Sequence, residues 1–148
     1  MNRQAVMLLL AMLVITACSR HDGPALDVSN VRVLAPLPGR SASVAYMDMH
    51  NRSQHPLTID GISSPEFVRA EIHETTLSDG IARMQALESI TVDAGARLSF
   101  APAGLHIMLL DPRKGLLPGA TVRLELRYSD GGLLIVDAPV RTRGDDVK

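Results

Sequence analysis

Four side chains with soft donor atoms carry the clearest chemical signal: His73, Met84, His106 and Met108, with the spacing His-x10-Met-x21-His-x-Met. Thioether sulfur is a poor ligand for magnesium or calcium but a good one for Cu(I), and imidazole also suits copper. With 5 His and 7 Met in 148 residues, this spacing arises by chance on the order of 4 times in 10,000. The four residues therefore predict a Cu(I) site, provided that the fold brings them together.

Each of these residues also has an explanation that needs no metal. Met84 could fill the core, which is the usual role of a methionine. His73 could face solvent, His106 could be a hydrogen-bonded surface histidine, and Met108 could pack under a loop. Their joint spacing favours copper over the four separate explanations.

The other methionines and histidines of the domain fit the metal hypothesis less well. Met47 and Met49 share one strand face with Ala45, so we expect them in the core. His50 and His55 flank a predicted loop and are expected to be polar surface residues.

The first residues indicate export and a lipid anchor. The apolar run from Ala5 to Ala17 is too short to span a bilayer and fits a signal peptide. It leads into Cys18, the one cysteine of the chain, and residues 15–18 (Ile-Thr-Ala-Cys) resemble the lipobox of bacterial lipoproteins. We therefore predict a lipoprotein signal peptide at residues 1–17, a lipidated Cys18 and a periplasmic location. In the lipoproteins of enteric bacteria, an Asp after the cysteine favours the inner membrane, so the resemblance implies that Ser19 favours the outer membrane.

One small domain is expected after this leader. Residues 18–27 are interpreted as the lipidated Cys and a flexible tether, residues 28–141 as the domain, and residues 142–148 as a charged tail. A net charge of −1 gives no reason to expect nucleic acid as a partner.

Apolar residues alternate with polar ones along most of the domain, and this period of two predicts strands with one buried face. No segment predicts an amphipathic helix. Many short strands separated by turn residues indicate an antiparallel β-sandwich or barrel. The predicted buried faces are Val68, Ala70 and Ile72; Leu105, Ile107 and Leu109; and Val122, Leu124, Leu126 and Tyr128.

A hairpin is predicted to bring two of the four ligands to one face. Asp79-Gly80 is a favoured two-residue hairpin loop, because both central residues need positive φ. Residue 75 then pairs with 84 and residue 73 with 86, so His73 and Met84 become diagonal neighbours. A three-residue loop would place them on opposite faces.

The other two ligands share a face by strand geometry alone. His106 and Met108 lie two residues apart and point away from the predicted core residues beside them. Their strand must lie near the hairpin for the site to form, and the sequence pattern alone does not establish that.

The acidic residues near the predicted ligands could orient a metal ligand, and none of them predicts a catalytic role. Glu71 and Glu74 flank His73, and either could orient its ring. Asp145-Asp146 has no partner for acid–base work. We find no glycine-rich phosphate loop, serine nucleophile motif or Cys/His zinc signature, so we expect a protein that is not an enzyme.

The pattern resembles the PCu(A)C family of periplasmic copper chaperones, over roughly residues 28–140. Besides the four ligands, the resemblance includes these segments: Ala45-Tyr46-Met47, Asn51, Leu77-Ser78-Asp79-Gly80, Pro102-Ala103-Gly104 and Tyr128-Ser129-Asp130-Gly131-Gly132. It implies a cupredoxin-like β-sandwich that holds Cu(I) on His73, Met84, His106 and Met108. The sequence departs from many members at Glu74, where they have Met. It also lacks the Met- and His-rich C-terminal extension of some members, so we expect no second copper site.

The function implied by the resemblance is Cu(I) carriage and release to a copper-accepting protein by ligand exchange. Family members are linked to the Cu(A) centre of cytochrome c oxidase, which lies in subunit II, and to Sco-type proteins. The alternative is a lipid-anchored β-sandwich that assists assembly of another envelope protein without a metal.

Overall fold

The computed structural model of the protein describes residues 24–146. The predicted signal peptide, Cys18 and most of the predicted tether lie outside these residues. Within them no helix is long and apolar enough to cross a membrane. The described residues form ten strands, β1 (Leu26–Leu34), β2 (Ala42–Asn51), β3 (Leu57–Ser63), β4 (Phe67–Ser78), β5 (Ile81–Leu87), β6 (Ile90–Val92), β7 (Arg97–Phe100), β8 (Leu105–Pro112), β9 (Thr121–Tyr128) and β10 (Leu133–Arg141), followed by a 3₁₀ turn at Arg143–Asp146.

The strands form one curled sheet in the order β5-β4-β8-β7-β2-β1-β10-β9-β3-β6, with an additional β8–β2 pairing. The all-β prediction is confirmed. Most pairings are antiparallel, but β1 runs parallel to β10 and β7 runs parallel to β8. These two parallel pairings were not predicted.

The core lies between the two halves of the sheet. Ile72, Ile107 and Met47 from one half join Ile59 and Leu124 from the other in a single buried cluster. Burial of this apolar surface is the main force that holds the two layers together. Met49 is also buried, so the prediction that Met47 and Met49 are core residues is confirmed.

One predicted buried face is wrong at its first residue. Val68 is 55% exposed, whereas its neighbour Phe67 is 1% exposed. In the register of β4 with β8, Val68 falls opposite Asp111, but the two form no ladder pair and Asp111 has a φ of 56°. Residues in a regular strand do not have a positive φ, so the ladder is irregular at this point. Phe67 therefore faces the core in place of Val68.

The first strand starts two residues earlier than the predicted domain. Leu26 is 1% exposed and Asp27 also belongs to β1, although the sequence assigned both to the tether. Leu26 pairs with Asn51 at the end of β2. The buried Asn51 side chain donates from Nδ2 to the carbonyl oxygens of His55 (2.7 Å) and Val92 (2.9 Å), which ties this end of the sheet together.

A polar junction joins β1, β2 and β7. The Asp48 carboxylate accepts hydrogen bonds from Asn30 Nδ2 (2.6 Å) and Ser99 Oγ (2.5 Å). These two bonds lower the pKa of Asp48 below its ordinary value, because they favour the charged carboxylate. Asn30 lies at a β-bulge with a φ of 53°.

The predicted hairpin register is confirmed. Asp79 and Gly80 have φ values of 53° and 76°, as a two-residue loop requires. Residue 75 pairs with 84, and 73 with 86. His73 and Met84 therefore share a face of the β4–β5 hairpin.

Strand β8 lies on the other side of β4 and completes the arrangement. His106 pairs directly with His73, and Met108 pairs with Glu71. Met108 also pairs with Val44 of β2. The strands β5, β4 and β8 thus place His73, Met84, His106 and Met108 on the outer face of the sheet.

Candidate metal centre

His106 is held with one ring nitrogen free for a ligand. Its side chain is 7% exposed. Nδ1 lies 2.9 Å from the carbonyl oxygen of Gly104, and a carbonyl only accepts, so Nδ1 carries the hydrogen. The neutral ring therefore has its lone pair on Nε2, which is the atom that faces Met84.

Met84 presents its sulfur to that nitrogen. The Sδ atom lies 3.2 Å from His106 Nε2. Two donors on one tetrahedral ion would be about 3.5 Å apart if the bonds had the zinc-like lengths of about 2.0 Å to nitrogen and 2.3 Å to sulfur. Met84 is 56% exposed on the edge strand β5, which excludes a role as core filler.

His73 lies next to this pair. Its ring centroid is 5.9 Å from that of His106, with the planes tilted by 50°. Nε2 of His73 lies 2.9 Å from Oε2 of Glu71, and Arg69 donates to the other carboxylate oxygen over 3.2 Å. Nδ1 of His73 is buried and has no hydrogen-bond partner among the described residues.

Met108 lies one step further along the same face. It is half-buried and follows His106 at a spacing of two in β8, so both side chains project to the same side. A cleft of about 260 Å³ is lined by Met108, His106, Tyr46 and Arg143, among others. Val44, the β2 partner of Met108, packs in a small apolar cluster with Leu34 and Tyr46.

The face can offer two nitrogens and two sulfurs. Contacts join His73, His106 and Met84, and the strand register places Met108 beside His106. Among residues 24–146, no group of three or more His, Cys, Asp or Glu side chains could hold a metal ion. A metal bound here would therefore depend on thioether sulfur, which favours a soft ion such as Cu(I).

The remaining candidates lie apart from this site. His55 is exposed, and His50 is half-buried on β2, where it pairs with Asp27 of β1 and Arg97 of β7. Glu74 interacts with Gln85 over 3.5 Å, so Glu71 is the carboxylate that contacts His73. Cys18, the predicted lipidation site, lies outside the described residues.

Two features of the site were not predicted. The Gly104 carbonyl orients His106. The feature of the sequence that could have indicated this contact is the Pro-Ala-Gly turn, which ends two residues before the histidine. Arg143 reaches the cleft from the C-terminal 3₁₀ turn. Nothing in the local sequence of Arg143 indicates this position.

The chain is similar in sequence to known proteins. Residues 26–140 match the model of a family described as "Putative lipoprotein LpqE-like". A relative from Leifsonia xyli subsp. xyli, named "Putative lipoprotein Lxx21020", is 32% identical over 104 residues, or 70% of this chain. The match spans 63% of the length of that relative.

Two solved structures show the same fold. Cu(I)-DR1885 from Deinococcus radiodurans is 28% identical, with a TM-score of 0.69 and coverage of 85% of this chain and 84% of that one. The copper-bound PCuAC domain from PmoF2 is 23% identical, with a TM-score of 0.67 and coverage of 80% and 94%. The fold is therefore cupredoxin-like and of the PCu(A)C type.

Proposed function

Because the chain belongs to the LpqE-like family, which is of the PCu(A)C type, we propose that it is a copper(I) chaperone of the bacterial cell envelope. Cu(I) is carried on His73, Met84, His106 and Met108. The solved relative from Deinococcus radiodurans is a Cu(I) form, and its likeness to this chain supports copper as the cargo.

One contact carries the proposal. The unprotonated Nε2 of His106 faces the Met84 sulfur at 3.2 Å, and neither atom can donate a hydrogen to the other when the ring is neutral. Such a pair of lone-pair donors is explained by an ion that both can bind. His73 and Met108 border the pair and would complete four-coordination.

Differences in exposure suggest an order of ligand exchange. Met84 is 56% exposed on an edge strand, whereas His106 is 7% exposed. An incoming thiolate, thioether or imidazole can approach the ion most easily from the Met84 side. The Met84 sulfur is then replaced first and His106 last, so the copper stays bound to one protein or the other throughout.

The predicted leader and the family support a location and a class of partner. Lipidation of Cys18 would anchor the domain in the periplasm, and Ser19 favours the outer membrane. The acceptor is a copper-binding protein of the envelope, such as subunit II of cytochrome c oxidase with its Cu(A) site, or a Sco-type protein. The described part of the chain is a carrier in this proposal and catalyses no reaction.

A competition titration tests copper carriage. The protein is titrated with Cu(I) under reducing conditions against a chromogenic Cu(I) chelator, beside His106→Asn and the control His55→Ala. We expect one tightly bound Cu(I) in the wild type and in the control, and a loss of at least about tenfold in affinity for His106→Asn, which is about 1.4 kcal/mol. Equal Cu(I) affinity in all three proteins would show that His106 is not a copper ligand.

A transfer assay tests delivery. The Cu(I)-loaded protein is mixed with an apo fragment that bears Cu(A) ligands, and copper in each is measured after separation. Copper is expected to move to the acceptor faster than it appears on a chelator that collects free Cu(I). If the two rates are equal, copper dissociates before it is captured, and transfer by ligand exchange is wrong.

A further inference from the structure

The two imidazoles of the site are held by different atoms. His106 is fixed at Nδ1 by the Gly104 carbonyl, which leaves Nε2 free. His73 is fixed at the opposite ring atom, because Nε2 lies 2.9 Å from the Glu71 carboxylate. The two histidines therefore differ in which ring nitrogen is held by a hydrogen bond.

The Glu71 contact determines the tautomer of His73. An ionised carboxylate only accepts hydrogen bonds, so Nε2 of His73 must carry the hydrogen. The other oxygen of Glu71 accepts from Arg69 over 3.2 Å, which holds the carboxylate in place. In neutral His73 the lone pair therefore lies on Nδ1.

That Nδ1 atom has no other role in the structure. It is buried and has no hydrogen-bond partner among the described residues. A buried polar atom without a partner is unfavourable and calls for an explanation. An ion bound at Nδ1 supplies the missing partner.

We infer that Glu71 is a positioning residue that selects Nδ1 of His73 as its copper-binding atom, while His106 binds through Nε2. The inference rests on the proposed Cu(I) site and assigns the atoms within it. Glu71 does not touch the ion, and acts by orienting His73 and fixing where its hydrogen lies.

Imidazole nitrogen NMR tests the assignment directly, since Cu(I) is diamagnetic. The protein labelled with ¹⁵N-histidine is recorded without metal and with one equivalent of Cu(I) under reducing conditions. We expect the Nδ1 resonance of His73 and the Nε2 resonance of His106 to shift on loading. The Nε2 of His73 should keep its bound hydrogen in both states.

Variants test whether Glu71 is the cause. Glu71→Ala removes the acceptor, and we expect a mixture of His73 tautomers together with a loss of about 10–100-fold in Cu(I) affinity. Glu71→Gln retains a carbonyl acceptor and should restore part of both properties. The matched control is Glu74→Ala, which removes the other neighbouring carboxylate and should leave the tautomer and the affinity unchanged.

The outcomes distinguish a failure of this inference from a failure of the proposed function. If the wild type binds no Cu(I), the proposed function fails. If copper binds but shifts Nε2 of His73, or if Glu71→Ala leaves the tautomer and affinity unchanged, the inference is overturned and copper carriage stands. If Glu71→Ala does not fold, the wild-type spectra and Glu71→Gln still decide the question.

Discussion

His106 and Met84 touch across a strand to which neither belongs. His106 lies on β8 and Met84 on β5, and both strands pair with β4. Strands two positions apart are separated by about 9.5 Å, yet Nε2 and Sδ are 3.2 Å apart. Both side chains must therefore lean over β4 at His73, so the site depends on the order β5-β4-β8.

Replacement of Met108 separates ligation from packing. Met108→Leu is close to volume-conserving, so we expect the fold to remain and the free energy of unfolding to fall by less than about 1.5 kcal/mol. Cu(I) affinity should fall because a soft donor is lost. The control is Met49→Leu in the core, with a similar effect on stability and none on affinity. Unchanged Cu(I) affinity for Met108→Leu would make Met108 a packing residue.

The hairpin turn should influence copper binding from a distance. Gly80 has a φ of 76°, and an added Cβ would meet no atom within 4 Å. Gly80→Ala should therefore cost about 1 kcal/mol through backbone strain alone and weaken Cu(I) binding by fraying the strand that presents Met84.

The matched control for this turn is Gly119→Ala. Gly119 has a φ of 89° and equally open surroundings, but it precedes β9, away from the site. We expect a similar loss in thermal stability and no change in Cu(I) affinity. If both variants weaken copper binding equally, the effect comes from global stability and the positioning role of the hairpin is wrong.

Local features of the fold could be predicted from the sequence. The register of the β4–β5 hairpin followed from Asp79-Gly80, because this residue pair favours a two-residue hairpin loop with positive φ at both positions. The length of the loop then fixes which residues pair. The shared face of His106 and Met108 followed from the alternation of strand side chains. The hairpin register and the shared face both depend on residues that are close in the sequence, so the local sequence pattern can predict them.

Long-range features could not be predicted in this way. The pairing of His73 with His106 joins strands that are far apart in the chain, and no local pattern specifies such a partner. The resemblance to a known family supplied that expectation. The exposure of Val68 was also missed, because it depends on the irregular backbone of Asp111 on the neighbouring strand.

Acidity should weaken the site without abolishing it. Imidazoles must be neutral to bind a metal, and free histidine titrates near ~6.5, whereas thioethers do not titrate. We expect Cu(I) affinity to fall between neutral and mildly acid pH while binding persists through sulfur. Zn(II), titrated in parallel, should bind weakly at neutral pH and be lost sooner. Zinc affinity equal to that of Cu(I) would argue against a site built on thioethers.

The Asp48 junction should make stability depend on acid pH. Its pKa is lowered in the folded protein from the ordinary 3.8, so its contribution is fully present above that value and is lost as the pH falls below it. Asp48→Asn removes the titrating group. Denaturant unfolding across pH should therefore show the wild type more stable at neutral pH, with the difference shrinking below ~3.8. A difference that stays constant with pH would contradict this role.

X-ray absorption at the copper edge of the protein loaded with one equivalent of Cu(I) tests the central claim most directly. The four proposed ligands, His73, Met84, His106 and Met108, predict a first shell of two nitrogen and two sulfur neighbours. They also predict that one sulfur disappears in Met84→Leu. A copper shell without sulfur, or one that Met84→Leu leaves unchanged, would contradict the claim that the His106–Met84 contact marks the copper site.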